Sequence, residues 1–334
     1  VIEASRILGN LAGPGDGGGV ALVRTNGQDV DANPNNNPPR NPNQPPQWHT
    51  VNPFDNMIVN NVAALAGGGI ALRDVALSNI IHNTVAHNET TATAGNAFSP
   101  GSPNFSNPQP AGIASRAHSA ELAGAFGGRF RSEYGIFANP RLVDTIVRQN
   151  RSFYFFGDPQ ADPPLYELRP DPTAAVFWDL AVLPAGTGFL NPDYSILTSL
   201  VDVTLSVDAT GTLVSTPTGH DYNTSPNPDA NNIEDDPLLT DAYFNGPPAG
   251  TVIIPEPLFV AAAFDEGGNF IQVRFGPLTL GANTRDTLYH LGAGSSALNA
   301  GTNLNADFPA LIDDFDGDTR PQGGAVDIGA DEVQ

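Results

Sequence analysis

Three aspartates near the end of the chain come closest to recognisable chemistry. In DDFDGDTR, residues 313–320, Asp314, Asp316 and Asp318 alternate, with Gly317 among them. Carboxylate oxygens at that spacing on a turn resemble a calcium loop, since a hard divalent cation prefers oxygen ligands and a glycine lets the chain turn sharply. The match is partial. Glycine stands fourth rather than sixth counting from Asp314, and no glutamate follows at the twelfth place. Asp331 and Glu332 come later and complete a ligand shell only if the fold returns them to the turn. The competing reading is a solvated acidic turn in which Arg320 pairs with one carboxylate. The metal reading assigns Asp314, Asp316 and Asp318 as ligands and calcium as the candidate ion.

Other chemistries find less support. There is no cysteine, which excludes thiol catalysis, disulfides and cysteine-held zinc. No G-x-S-x-G is present, so no serine triad is nominated. The histidines, at 49, 82, 87, 118, 220 and 290, are scattered. His82 and His87 lie five residues apart and read as ordinary strand residues on different sides of a sheet. The sequons Asn88-Glu-Thr90 and Asn150-Arg-Ser152 read as chance matches in an Asn-rich chain. The aromatic cluster Phe153, Tyr154, Phe155, Phe156, Phe177 and Trp178 reads as core filling, with a sugar platform as the alternative.

The elements that would have to position such residues are short. Gly (35) and Pro (31) make up almost a fifth of the 334 residues, which disfavours helix. Apolar runs such as VALV, GIAL, SFYFF and TVII are bounded by Gly, Pro, Asn or Asp and read as strands. The net charge is −22 and all 14 basic residues are arginine. So acidic a surface repels phosphate backbones and argues against a nucleic-acid partner. No apolar run is long enough to span a membrane. The chain starts at Val1 without a leader pattern, which suggests a processed product or a piece of a longer polypeptide.

The strands repeat. ILGNLAG (7–13) aligns with IVNNVAA (58–64), GGGVAL (17–22) with GGGIAL (67–72), and AGIASR (111–116) is a weaker third copy. Repeats of this length with variable insertions indicate a solenoid. Each coil bends sharply between strands, and Gly and Asn tolerate the positive φ a bend needs. Asn recurring at one place in successive coils can stack its amides into a ladder. The glycine triplet therefore reads as a corner before an inward-facing strand. A phosphate cradle is disfavoured, because no GK[ST] is present and a strand follows instead of a helix.

Within NMIVNNVAALAGGGIALRDVALSNIIHNTVAHNET (56–90) the N-x-I-x-x-N-x-V coils resemble those of right-handed parallel β-helix proteins. FANPRLVDTIVRQNRSFYF (137–155) and NNIEDDPLLTDAY (231–243) resemble segments of bacterial surface members. GSSALNAGTNLN (294–305) and DDFDGDTRPQGGAVDIGADE (313–332) resemble the ending of the choice-of-anchor Q family, with Ser296 where Pro is usual and Asn299 where Asp is usual. The resemblance implies an all-β solenoid and a secreted, cell-surface location; it implies no reaction. Because the fold also hosts pectate lyases and polygalacturonases, an enzyme has to be weighed by analogy. Asp235 and Asp236 precede Pro237 and read as turn residues rather than a hydrolytic pair. Arg116, Arg129 and Arg131 near Glu121 and Glu133 are the set a lyase would call on.

The expected architecture is one solenoid over residues 1–280, with insertions near 33–49, 96–110, 157–174 and 209–250, closed by 281–334. The expected function is a non-catalytic scaffold at the cell surface that presents its loops to a protein partner. A second copy docked on the open N-terminal coil edge is the other occupant considered. The alternatives are a polysaccharide-binding or polysaccharide-cleaving protein and a fibre subunit stacking end to end.

Overall fold

The computed structural model describes residues 1–27, 48–125, 135–170, 176–219, 231–245, 287–309 and 311–333. Most of the 33–49 insertion, the strands expected within 251–280, and Arg129, Arg131, Glu133 and His220 lie outside the described residues. So do parts of the 157–174 and 209–250 insertions.

The described residues are nearly all β, with one short α-helix, Ala120–Ala125, and several open parallel sheets. The chain visits four sheets in turn and then begins again. The first sheet holds Ile2–Glu3, Pro53–Phe54, Leu77–Ile81, Arg141–Val143 and Pro192–Asp193, with Thr50–Val51 beside Leu77–Ile81. The second holds Arg6–Leu8, Met57–Val59, Thr84–Ala86, Ile146–Arg148, Ile196–Leu197 and Ile233–Glu234. The third runs Leu11–Ala12, Val62–Ala63, Glu89–Thr90, Arg151–Ser152 and then Val176–Phe177, which pairs antiparallel. The fourth holds Val20–Val23, Ile70–Arg73, Ile113–Arg116 and Leu180–Leu183. Two antiparallel hairpins, Tyr154–Asp158 with Leu165–Arg169 and Asp202–Val207 with Leu213–Gly219, pack against this frame. Among the described residues no helix is long and apolar enough to cross a membrane.

Side-chain alternation explains why the strands hold together. Ile58, Val85 and Val147 of the second sheet point inward and meet Ile80 and Leu142 of the first and Ile70, Ile113 and Leu180 of the fourth. Their neighbours Met57, Val59 and Ala86 point outward, where residues 287–333 cover them with Leu288, Tyr289 and Ala330. On the first sheet Phe54, Ile81 and Val143 are covered in the same way by Leu304 and Leu311. A sheet buried on both faces reads as a continuous apolar run, as Met57-Ile58-Val59 does here.

The asparagines form two ladders. In one, Asn10, Asn61, Asn88 and Asn150 each donate a backbone and a side-chain N–H to the side-chain oxygen of the next, and Asp179 accepts at the end. The other runs Ser5, Asn56, Asn83, Thr145, Ser195 and Asn232. The bend itself is made one residue earlier than the sequence suggested. Asp55, Asn60, His82, His87, Asp144, Gln149 and Tyr194 take positive φ, between 47° and 57°, each just before a ladder residue. Asn is therefore mainly the rung of the ladder rather than the hinge. The left-handed conformation costs a non-glycine residue about 1–2 kcal/mol, and the hydrogen bonds of the following residue offset it.

The glycine triplets are corners only in part. Gly67 has φ of 67°, as a corner requires. Gly68 and Gly69 are required by close approach. A Cβ on Gly68 would stand 2.3 Å from the Glu89 carbonyl oxygen, and one on Gly112 would stand 2.2 Å from that of Asp179. The triplet amides donate to carbonyls of the neighbouring strands, as Gly18 does to Gly67 and Gly19 to Gly68, both at 3.0 Å. They are thus engaged with protein rather than turned toward an anion.

Candidate functional site

The C-terminal segment carries the densest group of charges. Arg320 is fully buried and donates to Asp55 at 3.2 Å, to Glu332 at 3.1 Å and to the carbonyls of Asp327 and Gly329. It therefore pairs with a corner of the second turn of strands and with the segment's own end, not with the acidic turn beside it. Burial pushes the Asp55 carboxyl up to about 7, against the pull of Arg320. Asp144, at the equivalent corner two turns on, is pushed up to about 8 by burial. Its Oδ1 accepts from Thr302 N–H at 2.9 Å.

The three aspartates of the acidic turn part company. Asp314 is buried, and its oxygens accept the backbone N–H groups of Asp316 (2.9 Å), Asp318 (2.8 Å) and Glu332 (2.8 Å). It fixes the turn from within. Asp318 is exposed, and its carboxylate is not among the gathered donors. Asp316 swings the other way and meets Asp331 and His290. His290 Nδ1 lies 2.9 Å from an Asp331 oxygen and 3.3 Å from an Asp316 oxygen. The hydrogen bond to Asp331, then the two negative charges, raise the His290 pKa against the effect of burial. Burial raises that of Asp316. A shared proton or a cation would each satisfy this arrangement. Of the two later acids, the fold returns Asp331 to the turn, while Glu332 is committed to Arg320 and to the N–H groups of Gln322 and Asp327.

The other nominated residues are placed as follows. Arg116 grips Asp16 through two hydrogen bonds, of 2.6 and 2.7 Å. Glu121 is exposed on the short helix. Asp235 and Asp236 are exposed, and Asp236 accepts from Leu238 N–H at 3.0 Å, as a turn residue does. Phe153, Tyr154, Phe155 and Trp178 are buried. Asn88 and Asn150 are fully buried within a ladder, so neither sequon is open to modification.

One charged pair was missed. Glu89 and Arg151 face each other on the third sheet, both buried, and hydrogen bond. Arg151 also lies over the rings of Phe153 and Phe244. Burial raises the Glu89 pKa, and Arg151 opposes this. Beside them, His87 stacks on Phe244 and hydrogen bonds with Tyr289 and Gln149. Aligning Asn88-Glu89-Thr90 over Asn150-Arg151-Ser152 by their asparagines was the signal that sets Glu on Arg.

No protein-family model matches the chain, and no curated protein or solved structure matches it either.

Proposed function

We propose that the four stacked sheets are the coils of a right-handed parallel β-helix, and that the protein is a rigid, non-catalytic scaffold of the bacterial cell surface. Its loops and hairpins meet a protein partner. The observation that carries this reading is the register of the ladders. Asn61 sits over Asn88 and Asn88 over Asn150 with both of their amide hydrogens committed. Such a stack cannot slip by a residue without losing a row of buried hydrogen bonds. The strongest charged groups, Arg320, Glu332, Arg151 and Asp314, hold backbone or each other, which suits support better than turnover.

Two measurements test the proposal. The chain has no cysteine, so the double variant Asn79→Cys/Arg141→Cys reports one contact cleanly. These residues are partners on adjacent strands and should form a disulfide on mild oxidation. Failure of the pair to cross-link contradicts the coil. A panel of neutral and acidic polysaccharides should show no new reducing ends or unsaturated uronides. Turnover that disappears in Asp316→Asn or Arg151→Met contradicts the scaffold and favours the polysaccharide-cleaving reading.

A second reading concerns the partner. Among the described residues, the edge formed by Ile2–Glu3, Arg6–Leu8, Leu11–Ala12 and Val20–Val23 is the outermost in all four sheets. Unpaired parallel edges invite strand addition, so we propose this edge as the place where a partner or a second copy docks. A single monomeric species across a concentration series in light scattering argues against the second copy.

A further inference from the structure

We propose that His290, Asp316 and Asp331 form a binding site for one divalent transition-metal ion of the zinc class, joining three separate stretches of the C-terminal segment. The proposal does not depend on the scaffold reading.

The donor atoms are already gathered. His290 Nδ1, Asp331 Oδ1 and Asp316 Oδ2 all lie within 4.8 Å of one another, the two contacts to Nδ1 being 2.9 and 3.3 Å. A tetrahedral ion with bonds of about 2.0–2.1 Å holds neighbouring donors roughly 3.3 Å apart. The shift needed on loading is therefore a few tenths of an ångström or less at the two contacts to Nδ1. The set is chemically selective. An imidazole nitrogen with two carboxylates suits zinc-class ions, whereas calcium looks for six to eight oxygens. Three protein donors leave a coordination position for water, and Asp316, with 42% of its side chain exposed, gives the ion a way in.

The donors are also held from behind, as ligands of a built site are. The second oxygen of Asp331 accepts the Leu291 N–H at 2.7 Å. The backbone of His290 is tied to Thr240 and Thr287, and its ring packs edge-on against Phe315. Asp316 is fixed through its N–H to Asp314. Arg6 lies over Phe315 at 5.0 Å, so the local charge is less negative than two carboxylates alone would make it.

The competing occupant of Nδ1 is a proton. Nε2 of His290 is buried and has no hydrogen-bond partner among the described residues. A proton on Nδ1 alone leaves Nε2 a buried acceptor with no donor, and an imidazolium would bury a charged donor there with nothing to accept it. A ring that binds metal through Nδ1 buries a neutral one, which costs less.

The test uses the full chain after removal of metal by a chelator. Titration with Zn²⁺ should show one site per chain and raise the melting temperature. Co²⁺ should give the visible absorption of a tetrahedral ion. His290→Ala should abolish that absorption, and Asp316→Asn should weaken Zn²⁺ at least tenfold. Asp318→Asn, which alters the acidic turn outside the donor set, should leave binding unchanged. If His290→Ala does not fold, the exposed Asp316→Asn still decides the matter. Absence of Zn²⁺ heat and of a Co²⁺ band overturns the proposal. So does binding of equal strength in Asp316→Asn. Uptake of Ca²⁺ with rejection of Zn²⁺ overturns it in favour of an all-oxygen site on the acidic turn.

Discussion

The ladder that ends on Asp179 has a direction, and a pair of reciprocal substitutions exposes it. Asn88 accepts the Asn61 backbone and side-chain N–H groups at 3.0 Å each and donates its own amide hydrogens to Ile58 O at 2.8 Å and Asn150 Oδ1 at 3.0 Å. Asn88→Asp keeps the accepted bonds and turns both donated bonds into oxygen–oxygen contacts. Asn150 Oδ1 keeps the Asn88 backbone N–H at 3.0 Å while Ile58 O loses its side-chain donor, and each buried oxygen set against another costs about 1–3 kcal/mol. The new carboxyl must also stay buried, charged or protonated. The expected loss is about 3–6 kcal/mol, a large part of the stability of an ordinary domain. Asp179→Asn does the reverse. Asp179 only accepts: Asn150 through two N–H groups on Oδ1, and Thr198 N–H on Oδ2 at 3.1 Å. Burial raises its pKa, so the amide relieves a buried acid while losing one bond of about 1 kcal/mol. The net change should be near zero. Urea denaturation followed by far-UV circular dichroism measures both. The Asn88→Asp deficit should also grow as pH rises above 4, because a buried carboxyl with a raised folded-state pKa stabilises the native chain only while protonated. A loss below about 1 kcal/mol for Asn88→Asp, or equal losses for the two variants, would refute a one-way ladder.

Three further outcomes follow from the packing and the charges. Gly68→Ala places a methyl 2.3 Å from the Glu89 carbonyl and should cost about 1–3 kcal/mol or more by overpacking; Gly13→Ala, whose Cβ meets nothing within 4 Å, should be nearly neutral in the same urea titration. Arg320→Met leaves Asp55 and Glu332 buried without their cation and should cost about 3–5 kcal/mol, read as faster proteolysis within 287–333; unchanged protease resistance contradicts the clasp. Asp144 has its pKa raised to about 8, above its unfolded value, so the stability it lends is complete below the unfolded pKa and lost as pH rises through 8. Urea midpoints at pH 5, 7 and 9 should decline in the wild type and decline less in Asp144→Asn; parallel declines contradict the assignment.

What could be read in the sequence follows distance along the chain. The parallel stacking and the asparagine rungs were legible because identical residues recur at a fixed offset from a common apolar pattern. The hinges were not. Five of the seven, Asp55, Asn60, His82, His87 and Asp144, are of types that tolerate positive φ, but such residues are common along the chain. Gln149 and Tyr194 are not of those types, and what they share with the others is a place before a rung. The acidic turn was legible as a turn but not as a set of ligands. Asp314 and Asp316 are two residues apart, yet one faces backbone amides and the other faces His290 and Asp331. Which way a carboxylate turns depends on the amides and rings that the fold supplies.

That dependence explains why a chain with a net charge of −22 buries so many acids at one end. Among its described residues, the segment 287–333 has no strand beyond isolated bridges, so sheet neighbours do not supply acceptors for its N–H groups. Buried N–H groups need acceptors, and an ionised carboxylate offers several. Asp314 takes three, Glu332 takes two besides Arg320, and Asp327 takes those of Asn299 and Val333. Asn299 does the same with its amide oxygen for Gly324 and Ala325, which supplies an acceptor there without a further charge. One buried arginine then pairs Glu332 of the segment with Asp55 of the sheets beneath it. On this argument, replacing Asp314 or Asp327 by Asn should be milder than replacing either by Ala, because the acceptor matters more than the charge. Urea midpoints of the four variants compare them, and equal losses for Asn and Ala would show that charge pairing with Arg320 governs the segment instead.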